Sequence, residues 1–244
     1  MITLRFWMVC RIIVIGLGLV AGAGLRAAKP SDLAADLGRI HLEAIGGREK
    51  VDALQAIRAT GTIRIAGAAL DFVMWAQRPD RVRVETVGGE VRITRGYDGV
   101  NPPWIRLGDV KTKVQSETDG ADFVRDAEFD DPFYDPESRG VALNYEGVVE
   151  VHGLKWSRVR ATGPRGESLL YLDEAGMLVR RDQARFIRGR EVVEETYYSD
   201  FRPVGGVLLP HLVEVRVGNN VLHETTLTKI EPNPFLLEGF FSAR

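Results

Sequence analysis

From Thr60 onward the chain alternates apolar and polar residues with a period of two, and turn residues interrupt the alternation at short intervals. Ile63 and Ile65 alternate with polar neighbours, and Leu70 to Trp75 follows Gly67. Arg81 to Thr86 alternates without a break, with Val82 and Val84 on one face and Arg81, Arg83 and Glu85 on the other. Glu90 to Thr94 repeats this with Val91 and Ile93. The same signal marks strands over 147–151, 155–162, 168–173, 178–187, 191–201, 207–217 and 221–230. Gly88-Gly89, Asp98-Gly99, Gly163-Pro164, Gly205-Gly206 and Gly218-Asn219-Asn220 are among the turns between them. Strands joined by short turns form an antiparallel meander, and a sheet of about eleven strands must curl because twist accumulates.

Ahead of the strands the period changes. Leu33, Leu37, Ile40 and Ala44 recur at helical spacing, which predicts a helix over 31–45 capped by Ser31 or Asp32 and stopped by Gly46-Gly47. Val51, Leu54 and Ile57 continue as a second short helical turn. The expected fold class is α+β, mainly antiparallel β: a single curled sheet forming an open half-barrel, covered by N-terminal and loop helices.

Residues 116–140 break the strand pattern. Acids there alternate with Phe123, Phe129, Phe133 and Tyr134. A stretch this long without strand pattern is either an acidic surface loop with aromatic anchors or a mobile lid over a cavity. The D-x-D-x-D-G spacing of a calcium loop is absent from it.

The N-terminus carries a different instruction. Arg5 and Arg11 precede an unbroken apolar and glycine run from Ile12 to Leu25, about 14 residues long. That is short of the roughly 18–20 residues of a spanning helix. Residues 1–28 therefore read as a cleaved secretory signal, with an uncleaved anchor as the alternative, and 29–244 as one domain exported to the periplasm. The Gly16-Leu17-Gly18-Leu19-Val20-Ala21 segment mimics a dinucleotide fingerprint, but Asp36, at the right distance, falls inside the helical pattern instead of ending a second strand. Cys10, the single cysteine, leaves with the signal, so a core without disulfides must hold the fold. Beyond residue 28 there are 29 basic and 34 acidic residues, a net charge of −5, which argues against a nucleic-acid partner.

The chain carries no G-x-S-x-G, H-E-x-x-H, C-x-x-C or P-loop motif. His41, His152, His211 and His223 stand singly and read as surface or partly buried strand residues. No enzyme activity, cofactor or metal is implied. Arg81, Arg83, Arg92 and Arg95 read as an outward, solvated face. Arg78 shares parity with Leu70, Phe72 and Met74. At the rim of an apolar cavity it can tie down a lid, meet a ligand headgroup or form a surface salt bridge.

Three segments together resemble the LolA-like periplasmic family of outer-membrane lipoprotein-sorting carriers. They are Trp75-Ala76-Gln77-Arg78-Pro79-Asp80-Arg81-Val82-Arg83, Tyr97-Asp98-Gly99 with Trp104, and Thr196-Tyr197-Tyr198-Ser199-Asp200-Phe201-Arg202 with Gly205-Gly206-Val207-Leu208-Leu209-Pro210-His211. Glu43-Ala44-Ile45-Gly46-Gly47 fits a bacterial branch of it. The resemblance implies a half-barrel with a hydrophobic cavity that binds the acyl chains of a lipoprotein or lipid for transfer across the envelope. An inner-membrane donor and an outer-membrane acceptor protein would be its partners. Leu70, Phe72, Met74, Val82, Val84, Ile93 and Trp104 are the expected cavity lining. Arg78 matches the family's lid-contacting arginine, and the helix from Ser31 with the Phe123–Tyr134 segment would be the cover. The alternative is a periplasmic sensor or envelope-assembly module that uses the same sheet to bind a protein.

Overall fold

In the computed structural model, residues 29–243 are described, apart from 109, 111–112, 115–116, 152 and 188. The expected signal, Cys10 and His152 lie outside the described residues. Two helices come first among the described residues, α1 (Pro30–Ala44) and α2 (Arg48–Ala53). Six strands follow: β1 (Ala56–Ile65), β2 (Ala68–Gln77), β3 (Arg81–Gly88), β4 (Val91–Tyr97), β5 (Trp104–Leu107) and β6 (Lys113–Val114). After α3 (Glu117–Asp126) come β7 (Ala142–Val151), β8 (Leu154–Gly163), β9 (Gly166–Leu172), β10 (Leu178–Ile187), β11 (Arg190–Val204), β12 (Val207–Val217) and β13 (Asn220–Pro232).

All of these strands join one antiparallel sheet of 13, in the order β6-β5-β4-β3-β2-β1-β13-β12-β11-β10-β9-β8-β7. The sequence predicted about eleven. The two strands it missed, β5 and β6, are only four and two residues long, too short to show alternation. The β1–β13 ladder joins the two meanders, and β6 and β7 are the two edges. The connection between them must therefore cross the whole sheet, and α3 with residues 127–141 makes that crossing.

The sheet is strongly curled. Asp80, after β2, pairs with Arg165, in the turn before β9. Six inter-strand steps separate β2 from β9, which is ~29 Å in a flat sheet at the usual strand spacing. One ion pair closes that gap.

One core cluster forms where α1 lies on the sheet. Ala34 packs with Val159, Ala161, Leu170, Leu172, Leu178 and Phe133, and Leu37 and Tyr198 border them. Residues of β8, β9 and β10 alternate so that this set points to one side. The helix is turned from its predicted orientation. Ala34, Gly38 and His41 are its buried positions, while Leu33 and Ile40 are 36 % and 45 % exposed. Small residues let α1 approach closely: a Cβ on Gly38 would stand 3.2 Å from the Phe133 ring. Neither Ser31 nor Asp32 caps the helix; Lys29 occupies that position and Pro30 begins the first turn. Gly46 does end it, at φ 133°, where a Cβ would strike the Gly206 carbonyl oxygen at 2.3 Å. Ile57, placed by its spacing in a second helical turn, belongs to β1.

Candidate functional site

The cross-strand pairings settle which side chains share a face. Phe72 stands opposite Thr86, Met74 opposite Val84, Ala76 opposite Val82, and Ile93 opposite Thr86. Leu70, Phe72, Met74, Val82, Val84 and Ile93 thus project from one face of β2–β4. Phe72 and Val82 are buried, and the other four are half-buried. Toward the far strand ends the same face continues through Ile65, Val91 and Leu107, which are 42, 58 and 51 % exposed.

Trp104 is not part of this strip. It stands opposite Gly96, which stands opposite Arg83, which stands opposite Trp75, and all four lie on the other face. The C-terminal segment covers them there. The Trp104 indole N–H donates to the Phe241 carbonyl at 2.8 Å, and Trp75 meets the edge of Phe240 at 5.2 Å. Room for the indole comes from Gly96, where a Cβ would lie 2.4 Å from the ring. Arg95 moves the opposite way. Predicted to face outward, it alternates with Ile93 onto the apolar face and stacks 4.8 Å from the Phe123 ring centroid of α3.

That contact places α3 on the apolar side of the sheet. At its other flank α3 meets β10, where buried Arg185 pairs with Asp122 at 3.2 Å and with Asp126. Arg165 donates to the Val124 carbonyl. The remainder of the crossing is anchored by aromatic side chains. Phe133 is 2 % exposed and tilts 5.3 Å from His41. Phe129 and Tyr134 border a second core cluster with Ile45, Val51, Leu54 and Val207. Arg139 holds the loop's own backbone, donating to the carbonyls of Asp131, Tyr134 and Asp130 at 2.6, 2.7 and 3.0 Å.

Arg78 joins the end of β2 to the crossing loop. It grips Asp130 with two hydrogen bonds of 2.8 and 2.6 Å and reaches the Asp52 carbonyl of α2 at 3.3 Å. The rings of Tyr134 and Phe129 lie 4.6 and 5.1 Å from the guanidinium. Only 11 % of Arg78 and 12 % of Asp130 remain exposed, so this is a bidentate interior pair and not a surface salt bridge. Burial pushes the Asp130 carboxyl up, although Arg78 pulls it down.

No family model and no curated protein matches the sequence. Solved structures do match the fold. A DUF1329 family protein from Desulfovibrio piger superposes with a TM-score of 0.59 at 14 % identity, covering 88 % of this chain and 98 % of its own. A domain from Vibrio parahaemolyticus, named for outer membrane lipoprotein sorting, gives 0.58 at 9 % identity over 87 % and 97 %. A LolA superfamily protein from Nitrosomonas europaea gives 0.54 at 10 % identity over 83 % and 97 %. The chain has a LolA-like fold.

Within this LolA-like sheet, two cavities flank the crossing loop, of about 370 Å³ and 240 Å³. They share Glu128, Asp130 and Arg181 as wall residues. Neither draws a wall from Leu70, Phe72, Met74, Val82, Val84 or Ile93.

His41, expected at a surface or on a strand, is 3 % exposed on α1 and holds the loop in place. Its Nε2 donates to Asp131 at 3.0 Å and its Nδ1 to the Gly176 carbonyl at 2.8 Å, so the imidazolium form satisfies both nitrogens. No spacing in the sequence marks the pair, because 90 residues separate its members. Burial alone pushes His41 down, but the charge and hydrogen bond of Asp131 outweigh it and hold the ring above 6.5. Burial pushes Asp131 up, and the charge and hydrogen bond of His41 outweigh it and hold the carboxyl below 3.8. The raised histidine contributes stability that is complete below pH 6.5 and lost as pH rises through its folded value. The depressed aspartate contributes stability that is complete above pH 3.8 and lost as pH falls through its folded value. Anchoring of α1 to the loop is thus strongest between those limits. The thermal midpoint is expected to fall as pH is raised from 6.5 to 9, and His41→Gln is expected to flatten that limb. An alkaline limb unchanged in His41→Gln would show that another group causes it.

Proposed function

We propose that the protein is a periplasmic carrier that binds acyl chains of a lipoprotein or lipid non-covalently on the apolar face of β1–β5. One observation carries this reading: the strip runs from buried Phe72 and Val82 out to exposed Ile65, Val91 and Leu107, and α3 is tied to the sheet by the ion pairs of Arg185, a hydrogen bond from Arg165 and the Arg95–Phe123 contact. Phe123 and Val124 are the only large apolar residues in α3. A segment with few apolar contacts opens at low cost compared with the packed core.

Energetics favours such a cover. Each buried methylene contributes about 0.8 kcal/mol, so a 16-carbon chain gains roughly 12 kcal/mol on leaving water. Three fully buried chains would gain roughly 36 kcal/mol, well past the practical affinity limit of roughly 20 kcal/mol. A carrier that must also release its cargo needs a partly open site, and a displaceable helix over an apolar wall meets that need. The likeness to the Vibrio and Nitrosomonas structures supports the reading at the level of fold, and Arg78 with Asp130 is proposed to keep the loop in register while α3 moves.

The test is saturable uptake of a fluorescent 16-carbon fatty acid. Met74→Glu, which places a charge midway along the strip, is expected to weaken uptake about tenfold or more while the fold persists. If the unaltered protein shows no saturable uptake, the carrier reading fails, and a protein partner on the same sheet becomes the better account.

A further inference from the structure

The 370 Å³ cavity reaches the end of β2 at Arg78 and Pro79, and its chemistry differs from that of the apolar strip. Its floor is a patch of the sheet on which Ala161, Ser168 and Gln183 stand in one row across β8, β9 and β10, with Arg181 two residues along. Ser168 and Gln183 are 5 % and 8 % exposed, buried polar positions in the cavity floor. A buried polar side chain is costly unless it meets a partner.

The charges around the cavity are unequally matched. Arg78 is held by Asp130, Arg139 by Glu128 at 2.6 Å, and Arg165 by Asp80. Arg181 has no carboxylate within ion-pair distance among the described residues. Its guanidinium shares the wall of the 240 Å³ cavity with Tyr198, and its Nε is buried with no hydrogen-bond partner. Of the three acids in the cavity wall, Glu128 and Asp130 already hold another arginine, and Asp135 accepts from the Ser138 hydroxyl. A guanidinium with no carboxylate partner, sharing a cavity wall with a hydroxyl and an amide, is an arrangement that recognises an oxyanion.

We propose that Arg181, with Ser168 and Gln183, forms an anion subsite for a phosphate-type headgroup whose acyl chain lies on the neighbouring strip. This rests on the carrier reading for the chain, but not for the anion. The chain would supply hydrophobic affinity, and Arg181 would select anionic lipids over neutral ones of equal length.

Calorimetry with three probes tests it: a 16-carbon monoacylglycerol phosphate, the monoacylglycerol of the same chain, and inorganic phosphate. The protein is expected to bind the phosphate lipid about tenfold or more tightly than the neutral one, and Arg181→Gln is expected to erase that preference while leaving the neutral lipid unaffected. Ser168→Ala and Gln183→Leu keep the guanidinium and are expected to lose a few-fold on the phosphate lipid alone, so the result does not depend on the folding of Arg181→Gln. Saturable inorganic phosphate binding that Arg181→Gln abolishes, with no uptake of either lipid, would support the subsite with a free anion as its ligand and overturn the carrier reading. Equal affinity for the two lipids, or a preference that survives Arg181→Gln, would overturn the subsite and leave the carrier reading intact. Binding of none of the three would overturn both.

Discussion

Replacing Arg78 with leucine is expected to lower stability by about 3 kcal/mol, because Asp130 is left buried without its cation. For a chain of this size that is a fall of roughly 6–12 °C in the thermal midpoint. The loss should centre on the crossing loop, since Arg78 also holds the α2 carbonyl and lies against Phe129 and Tyr134. Hydrogen exchange should therefore quicken in residues 127–141 before the strands respond. Acid should partly rescue the variant. Burial already raises Asp130 above 3.8, and without Arg78 the rise is larger. The destabilisation is present above the folded value and is relieved as pH falls through it. The pair Arg78→Leu with Asp130→Leu should recover much of the loss, since removing both charges leaves nothing unpaired. A single variant as stable as the parent at pH 7 would show that Asp130 finds another partner and that Arg78 does not hold the cover.

Replacing Trp104 with alanine is expected to cost about 3–5 kcal/mol, the range for emptying a large buried aromatic site. The loss has two parts: the cavity left beside Gly96, and release of the C-terminal segment whose Phe241 carbonyl the indole holds. Phe240, edge-to-face with Trp75 and 4.8 Å from the Arg83 guanidinium, should loosen with it. Fatty-acid affinity, measured where the variant is fully folded, should not change, because Trp104 is on the face opposite Phe72 and Met74. The outcome separates the two faces: loss of uptake in folded Trp104→Ala would return the indole to the ligand wall.

These two residues also show where the sequence is readable. Arg78 shares the parity of Leu70, Phe72 and Met74, but Val73 and Trp75 are apolar too, so alternation does not decide which set faces inward. Its partner is not legible either, because Asp130 is one of several acids in a stretch with no period. Trp104 follows Asn101-Pro102-Pro103, which erases the alternation that would have placed it. Arg95 has the parity of Ile93, yet its charge suggests solvent; stacking on Phe123 overrides that expectation. On α1 the large apolar residues suggest one buried face, while close approach to Phe133 selects Gly38, Ala34 and His41 instead. Arg181 carries no local signal at all, since its unmatched charge emerges only after its neighbours have paired.

The sequence by itself determined the antiparallel meander, the leading helix, and which residues of β2, β3 and β4 alternate together. Those follow from backbone periods of two and 3.6, which act between near neighbours. Only the tertiary structure decided that β1 pairs with β13, which leaves β6 and β7 as edges and sends α3 across the opening. It also chose the ionic partners of that crossing, Arg78 with Asp130, His41 with Asp131, and Arg165 with Asp80. Such pairs join groups 52 to 90 residues apart, and a charge finds its partner through space after the sheet has curled.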